Sequence, residues 1–489
     1  MFGSCVRAHK WVSHMLSLRN TIPLAMLLLT GCVVGPDHSA PVAQLPEKFS
    51  EGSQVSNGNI ASVAWWTAFN DNRLNSYVST GLAQNLDILQ ALERIAQADA
   101  SVTSETAGSL PSLGLEASHT VRGSIDDDSV TNLSSGSTAA SWLLDLFGQY
   151  RRTKEAALAN LDRAYATADV QRLTTASAIA AAYVDVRYYQ ARLAIERQNL
   201  ASRRETLDLT KLQLDAGAAS RLDVVKSEGL VNNTLAEMPA LETQFRRAAH
   251  RLATLIGQPA DTLVKELQKG APQPVARSIP RSGVPADLIR NRPDIRAAER
   301  ALAAAVAKVG VAESALYPSI TLSGSITPSY TNLNNGTSSS LTSWGFGPTL
   351  KLPIFDGGRI KANISSAEAQ AREAYLAWKS TVLKAIEEVQ NGIVAINRDK
   401  RTEDARRKAL ASAREALNLA TSSYKDGASS LLDVLDAQRE VSSAQAAVAA
   451  AVQQTAQDYI ALSTALGGGY ATGVKPVAPA EAAQVVARN

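Results

Sequence analysis

Two short turns hold the residues best placed to do chemistry. Leu214–Glu228 reads LDAGAASRLDVVKSE, and Tyr424–Glu440 reads YKDGASSLLDVLDAQRE, about 210 positions later. They share Gly217 and Gly427, Ser220 and Ser430, and Asp223 and Asp433, while Asp436 stands where the first copy has Lys226. Asp433 and Asp436 lie three apart, so on a helix they occupy neighbouring parts of one face. At a helix start such carboxylates complement the positive dipole end. Brought together by symmetry at a narrow opening, they would also attract cations and raise one another's pKa values. That chemistry is electrostatic. Nothing points to catalysis: the five His residues (9, 14, 38, 119, 250) are scattered, with no pair at metal-ligand spacing. Ser422 and Lys425 match a Ser-x-x-Lys pattern only at an expected helix end, and Gly467-Gly468-Gly469 lacks the strand-before, helix-after setting of a phosphate loop. No catalytic residue, metal ligand or cofactor site is expected.

The chain has 489 residues, a net charge of +3 and only 5% aromatics. Near-neutral charge gives no field for nucleic acid. The Ala-, Ser-, Leu- and Gln-rich mix suits long, closely packed helices. At the N-terminus Arg7, Lys10 and Arg19 precede the apolar run Ile22–Leu29, followed by Thr30-Gly31-Cys32. This reads as a secretory signal over residues 1–31, and a start at Met15 gives it a more usual length. The Leu-Thr-Gly-Cys ending resembles the bacterial lipobox, which implies cleavage before Cys32 and lipid on that cysteine. Val33 in the next position, rather than Asp, resembles lipoproteins sorted to the outer membrane. Of the two cysteines, Cys5 leaves with the signal, so no disulfide or cysteine-based metal site is expected in the mature chain. No later run reaches the ~18 apolar residues of a membrane-spanning helix.

The echo between the turns extends through the chain. Leu110-Pro111-Ser112-Leu113 parallels Tyr317-Pro318-Ser319-Ile320 at an offset of about 207, and Leu146-Phe147-Gly148 parallels Ile354-Phe355-Asp356 at about 208. A tandem duplication of one unit follows, over residues 74–257 and 285–467. Each copy reads as helix, two strands, very long helix, turn and helix. The first helices are expected over Leu74–Ser109 and Pro285–Leu316, stopped by Pro111 and Pro318. The period then changes to two, giving strands over 111–122, 138–147, 318–330 and 341–355 with one apolar and one polar face. Gly123–Gly136 and Thr331–Ser340 read as polar hairpin loops.

Four such strands fit a soluble sheet with one wet face or part of a transmembrane barrel. The lipoprotein signal, and the absence of further elements to cover the apolar face, favour the barrel. Four strands cannot close one, and open edges are not tolerated in lipid, so several chains must build it. The long helices, Tyr150–Asp215 and Gly357–Lys425, would each reach about 100 Å. Val186, Leu193, Leu200, Leu207 and Leu214 repeat every seven residues, as do Leu410, Leu417 and Tyr424, the mark of coiled-coil seams. Gly217 and Gly427 suit left-handed helix ends, and Ser220 and Ser430 the N-caps of the returning helices. Residues 32–73 read as a linker from the lipid anchor with an equatorial segment, 258–284 as an equatorial connection, and 468–489 as a tail.

Together these residues resemble the TolC family of outer-membrane efflux proteins, and within it the OprM/NodT-like lipoproteins. The markers are the lipobox with Val34-Gly35-Pro36-Asp37, Trp65-Trp66 with Phe69, Arg292-Pro293-Asp294-Ile295-Arg296 with Ala298-Glu299, Phe355-Asp356-Gly357-Gly358-Arg359 and the Tyr424–Gln438 turn. The resemblance implies a mainly α protein built from a tandem repeat. It forms a homotrimer whose chains complete a twelve-stranded transmembrane β-barrel above a long coiled-coil barrel. It further implies a passive exit duct for drugs, toxic compounds or metal ions. A periplasmic adaptor (a membrane fusion protein) and an inner-membrane pump of the RND type dock to it, and the tip opens by untwisting of its helices. Asp433 and Asp436 match the aspartates that ring the tip. Ala428-Ser429 replaces the arginine many relatives carry after the turn glycine, so Leu432 is the candidate for an apolar ring instead.

Gly217, Ser220, Asp223, Gly427 and Ser430 are the candidate adaptor-docking tips. Asp223 is also read as a cap or interprotomer partner. Trp142 and Trp344 are candidates for an aromatic girdle or for plain lipid-facing packing. The rival readings are an exit duct for type I protein secretion and a lipid-anchored coiled-coil scaffold with no pore.

Overall fold

The computed structural model describes residues 33–52, 58–124, 130–278, 283–333 and 336–475, so Cys32, the signal region and the last residues of the tail lie outside it. Its elements follow the duplicated order. A 3-10 turn, Trp65–Phe69, leads into α1 (Asn72–Gln84), α2 (Leu86–Ala107), β1 (Ser112–Gly123), β2 (Val130–Leu144), α3 (Gln149–Asp215) and α4 (Arg221–Leu255). A short α5 (Val264–Leu267) precedes α6 (Pro285–Asn291), α7 (Pro293–Ser314), β3 (Ser319–Leu333), β4 (Ser338–Lys351), α8 (Arg359–Lys425) and α9 (Leu431–Ala465).

Two local expectations change. The single first helix expected in each repeat is broken at equivalent positions. Asn85 adopts an extended ψ of 129°, and its side-chain oxygen accepts from the N–H groups of Asp87 and Ile88 at 3.0 and 3.1 Å, starting α2 afresh. Arg292 sits at ψ 117° because the ring of Pro293 excludes the helical conformation for the residue before it. The expected polar loops 123–136 and 331–340 are also shorter, because Val130–Gly136 pairs with Ala117–Gly123 and Thr331–Asn332 with Ser338–Ser339 as β-ladder. Ser, Thr and Asn are compatible with strand where cross-strand partners are supplied.

The chain divides into two compact units: residues up to 41, 95–164 and 298–378; and 42–94, 165–297 and 379–489. The first holds an antiparallel sheet of order β1-β2-β3-β4. Each hairpin pairs internally, and β2 pairs with β3 across the repeat boundary, Thr138 opposite Ile326 and Trp142 opposite Leu322. Alternation puts Leu113, Leu115, Trp142, Leu322, Ile326, Trp344, Phe346 and Leu350 on one face, where all are exposed. The other face is mainly Ser, Thr and Gly.

In the second unit the cores are helix seams. Leu200 and Leu207 of α3 pack with Val224 and Val231 of α4, with Leu214 and Met238 alongside. Ala413 of α8 packs with Val441 and Ala444 of α9, with Leu410 and Leu417 alongside. Trp65, Trp66 and Phe69 are buried. Trp65 Nε1 donates to Gly468 O at 3.2 Å, and Phe69 stacks edge-on to Tyr459 at 5.1 Å. A Cβ on Gly469 would stand 2.7 Å from the Trp66 ring, so the glycine run is a packing device.

Candidate channel tip and membrane face

The two turns fold alike because the same short instructions are written twice. Gly217 and Gly427 adopt φ of +75° and +72°, and a Cβ on either would meet nothing within 4 Å. They are therefore required for the left-handed backbone, not for close packing. Ala218 N and Ala428 N reach back to Gln213 O and Ser423 O, both at 2.7 Å, closing the ends of α3 and α8.

Ser220 and Ser430 then cap the returning helices in reciprocal capping boxes. Asp223 Oδ2 accepts from Ser220 N at 3.1 Å and Ser220 Oγ at 2.7 Å; Asp433 Oδ2 accepts from Ser430 N at 3.0 Å and Ser430 Oγ at 2.8 Å. The Ser220 hydrogen bonds hold the Asp223 carboxyl below its ordinary range. Asp433 is thus occupied locally as a cap. Asp436 is not: it sits one turn further on, more than half exposed, and accepts from Arg439 Nη1 at 2.6 Å. Leu432 and its counterpart Leu222 are both exposed.

Sequence reasoning missed how the tips are tied together. Tyr424 Oη donates to Gln213 Oε1, joining α8 to α3. Beneath it Leu230 of α4 packs on Leu431 and Leu435 of α9, with Tyr424 against the cluster. Above the tip the contact between α3 and α9 is polar. Gln438 Nε2 donates to Thr206 Oγ1 at 2.8 Å, Asn199 Nδ2 to Ser442 Oγ at 3.0 Å, and Gln453 and Gln457 both to Asp185 Oδ1, at 2.7 and 3.0 Å. Two apolar helix pairs, α3/α4 and α8/α9, are therefore joined by one leucine cluster near the tip and a hydrogen-bonded seam between α3 and α9. The signal lay in the sequence as glutamines on a helix otherwise rich in Ala and Val.

Further along the same helices stands a carboxylate pair. The Asp399 carboxyl is pushed up to about 6 by burial and then by Asp458, its neighbour across α8 and α9. Gln454 Nε2 donates to Asp458 Oδ2 at 3.0 Å. No cluster of His, Cys, Asp and Glu among the described residues could hold a metal.

On the sheet, Trp142 and Trp344 share the apolar face but not one level: Trp142 is in register with Leu322 and Trp344 with Ile326. Trp142 Nε1 donates to Ser109 O at 3.0 Å at the base of the sheet, whereas Trp344 stacks on Phe346 at 5.9 Å. No helix among the described residues is long and apolar enough to cross a membrane. The sheet is the element with an exposed apolar face, and the segment entering it is pinned at its base. Val34 N donates to Phe147 O at 3.2 Å, and the buried Arg152 guanidinium donates to Val34 O, Gly35 O, Asp37 and Glu155. Gly35 lies so close to Gly310 that a Cβ on it would stand 2.3 Å from the Gly310 Cα.

A twice-written strand-and-helix unit of this kind defines an outer-membrane channel, and the sequence profile described as "Outer membrane efflux protein" matches residues 78–258 and 284–468. The chain belongs to that family. It is 52% identical over 477 residues to nodulation protein T of Rhizobium leguminosarum bv. viciae, covering 97% of this chain and 98% of the relative. It is 32% identical to outer membrane protein OprJ of Pseudomonas aeruginosa over 92% of this chain and 95% of that one. Among solved structures it resembles the outer-membrane channel OprN, with a TM-score of 0.80 and 31% identity over 90% of this chain and all of that one. It also resembles the open state of the MtrE channel of Neisseria gonorrhoeae, with a TM-score of 0.78 and 29% identity over 91% and 100%. The protein is an outer-membrane efflux channel, not an enzyme.

Proposed function

We propose that three copies of this chain form the exit duct of a tripartite efflux system, anchored by lipid on Cys32 and gated at the Gly217 and Gly427 tips. The observation that carries the gate is the seam between the two hairpins. Each hairpin is zipped by Leu, Val and Ala, whereas the hairpins meet through one small leucine cluster, Leu230 with Leu431 and Leu435, and otherwise through Tyr424, Gln438, Asn199 and Asp185. Hydrogen bonds exchange with water at a small net cost each, about 1 kcal/mol, whereas separating an apolar seam costs more. The α8/α9 hairpin therefore moves against α3/α4, and the opening untwists the second tip. Asp436, exposed and repeated by threefold symmetry, supplies the anionic ring at the aperture. Leu432 supplies an apolar collar beside it, and Asp433 keeps the helix start intact.

The exposed turns, with Ser220, Asp223 and Ser430 shaping their helix starts, receive a periplasmic adaptor, and an inner-membrane pump of the RND type energises transport. Cargo is small: drugs, toxic compounds or metal ions. The relatives support this reading, since one is a cation efflux system protein of Escherichia coli and another a toluene efflux pump outer membrane protein of Pseudomonas putida.

Single-channel recording of the purified protein in a planar bilayer tests the duct. Small closed-state conductance, with a cation preference that falls when Asp436 is replaced by Ala, is expected. A trimer that never conducts, even with both Asp433 and Asp436 replaced by Ala, would sink it in favour of a scaffold.

A further inference from the structure

Between α3 and α9 two buried ladders of seven-residue spacing face each other, and both carry polar groups. On α3 the ladder is Glu196, Arg203 and Thr210; on α9 it is Gln445, Gln438 and Leu431. The helices run antiparallel, and the Asn199–Ser442 hydrogen bond fixes their register. Three residues back from Asn199 and three on from Ser442 set Glu196 against Gln445. Four residues the other way set Arg203 against Gln438, whose Nε2 donates to Thr206 Oγ1 at 2.8 Å. The polar run ends at Thr210, which faces Leu431 and donates to Thr206 O at 2.7 Å.

At these two levels several buried polar atoms have no hydrogen-bond partner among the described residues. At the first level they are Glu196 Oε2, Gln445 Oε1 and Arg192 Nε. Arg192 belongs there because its Nη2 donates to Glu196 Oε1 at 3.1 Å. At the second level they are Arg203 Nε and Gln438 Oε1, although Arg203 Nη1 donates to Thr234 Oγ1 of α4. Glu196 is 1% exposed and Arg203 7% within a single chain, so no group of a second copy reaches them.

Buried polar groups are hydrogen-bonded as a rule, and a buried charge with an idle oxygen or N–H is costly. The first level offers two acceptors and one donor. Water matches that set by donating twice and accepting once, the usual count of about three bonds for a buried water. A cation would suit the two oxygens but not the Arg192 guanidinium beside them. The second level offers one donor and one acceptor, which water bridges in the same way. Burial pushes the Arg203 guanidinium down from its ordinary value, while Glu196 and Glu237 act against that, so the two levels share one electrostatic setting.

We propose that the α3–α9 seam binds ordered internal water at these two levels, one molecule joining Arg192, Glu196 and Gln445 and another joining Arg203 and Gln438. A role follows that rests on the gate proposed above. Water can pass a hydrogen bond from one side of the seam to the other. Neither Glu196 nor Arg203 is then stripped of a partner as α9 leaves α3. The duplication does not repeat the arrangement. At the equivalent positions α8 has Arg406, Ala413 and Ala420, and α4 has Leu235 and Glu228. The wet seam is therefore a property of this one helix contact, not of the repeated unit.

The direct test is a structure of the full-length protein at a resolution that shows ordered water. Density within hydrogen-bond distance of Glu196 Oε2 and Gln445 Oε1 is expected, and again between Arg203 Nε and Gln438 Oε1. A turned Gln445 amide whose nitrogen bonds Glu196 directly, with no density between them, overturns the first site. Anomalous signal at that point from crystals grown with rubidium overturns it in favour of a cation. Bilayer recording tests the role. Gln445→Leu alone leaves Glu196 short of a partner and should lower the thermal midpoint. Gln445→Leu with Glu196→Leu makes the level apolar and should recover it, with open probability at least several-fold below the parent's. An unchanged open probability in that double variant, with its assembly intact by native mass measurement, overturns the role and leaves the water standing. A parent protein that never conducts overturns the duct and the role together, while the density still decides the water.

Discussion

Tyr424 and Gln213 stand at the ends of the long helices of different repeats, and the phenol of one donates to the side-chain amide oxygen of the other. It is a direct bond between the two long helices at their tips. The turn glycine is followed by Ala428-Ser429, so the bond that ties the two tips here is a neutral one. Replacing Tyr424 by Phe removes one hydroxyl while keeping the ring packed on Leu230, Leu431 and Leu435. The closed state should weaken by about 1 kcal/mol, raising open probability several-fold in bilayer recordings. An unchanged open probability would remove this bond from the gate.

Asp433 and Asp436 should separate cleanly. Asp433→Ala breaks a capping box and should lower stability of the α9 start by about 1 kcal/mol, read as faster amide exchange over Leu431–Leu435. Asp436→Ala removes only a surface pair with Arg439 and should leave exchange unchanged. Its effect should instead be on cation-over-anion permeability, measured from reversal potentials, which should fall.

The Asp399–Asp458 pair gives stability a pH dependence of a definite sign. The Asp399 carboxyl titrates near 6, above its unfolded value, so its protonated form is favoured in the folded protein. The associated stability is complete below about pH 4 and is lost as pH rises through 6. Solvent screening keeps the effect to about 1 kcal/mol. Asp399→Asn should remove that part of the slope and raise the thermal midpoint at pH 7.5, with little change at pH 4.5.

Arg152 holds the N-terminal strap at three points, Val34, Gly35 and Asp37, so Arg152→Ala should release it at a cost of about 2 kcal/mol. Arg152→Lys should recover little, since one ammonium cannot reproduce the guanidinium fork. Limited proteolysis between Val33 and Pro41 reads the release directly. Cys32→Ala, by contrast, should abolish acylation yet leave the assembled protein in the outer membrane, with barrel contact supplying the retention.

The parts of this fold that could be read from sequence are those dictated by period and repetition. The sevenfold ladder from Val186 to Leu207 is buried along α3, and the two-residue alternation of β3 gives one apolar face. The capping pairs Ser220–Asp223 and Ser430–Asp433 follow from residue type and spacing alone. Less legible were features in which local and distant chemistry compete. Asn85 gives no strong break signal, because its power to restart a helix depends on the side chain turning back onto its own backbone. The strand character of Val130–Gly136 comes from its partner in β1, not from its own composition. By spacing Tyr424 belongs to the apolar ladder with Leu410 and Leu417, and only the fold brings Gln213 within reach of its hydroxyl.

The glutamine seam between α3 and α9 has a thermal consequence. Heat-capacity changes follow the apolar area exposed in a transition, and polar exposure acts with the opposite sign. Parting Gln438 from Thr206 and Asn199 from Ser442 exposes mainly polar groups, while the leucine cluster at Leu230 and Leu435 contributes the apolar share. The two contributions oppose each other. Opening of the tip should therefore carry a small heat-capacity change, and the channel's open fraction should follow a nearly straight van't Hoff line from about 10 °C to about 40 °C.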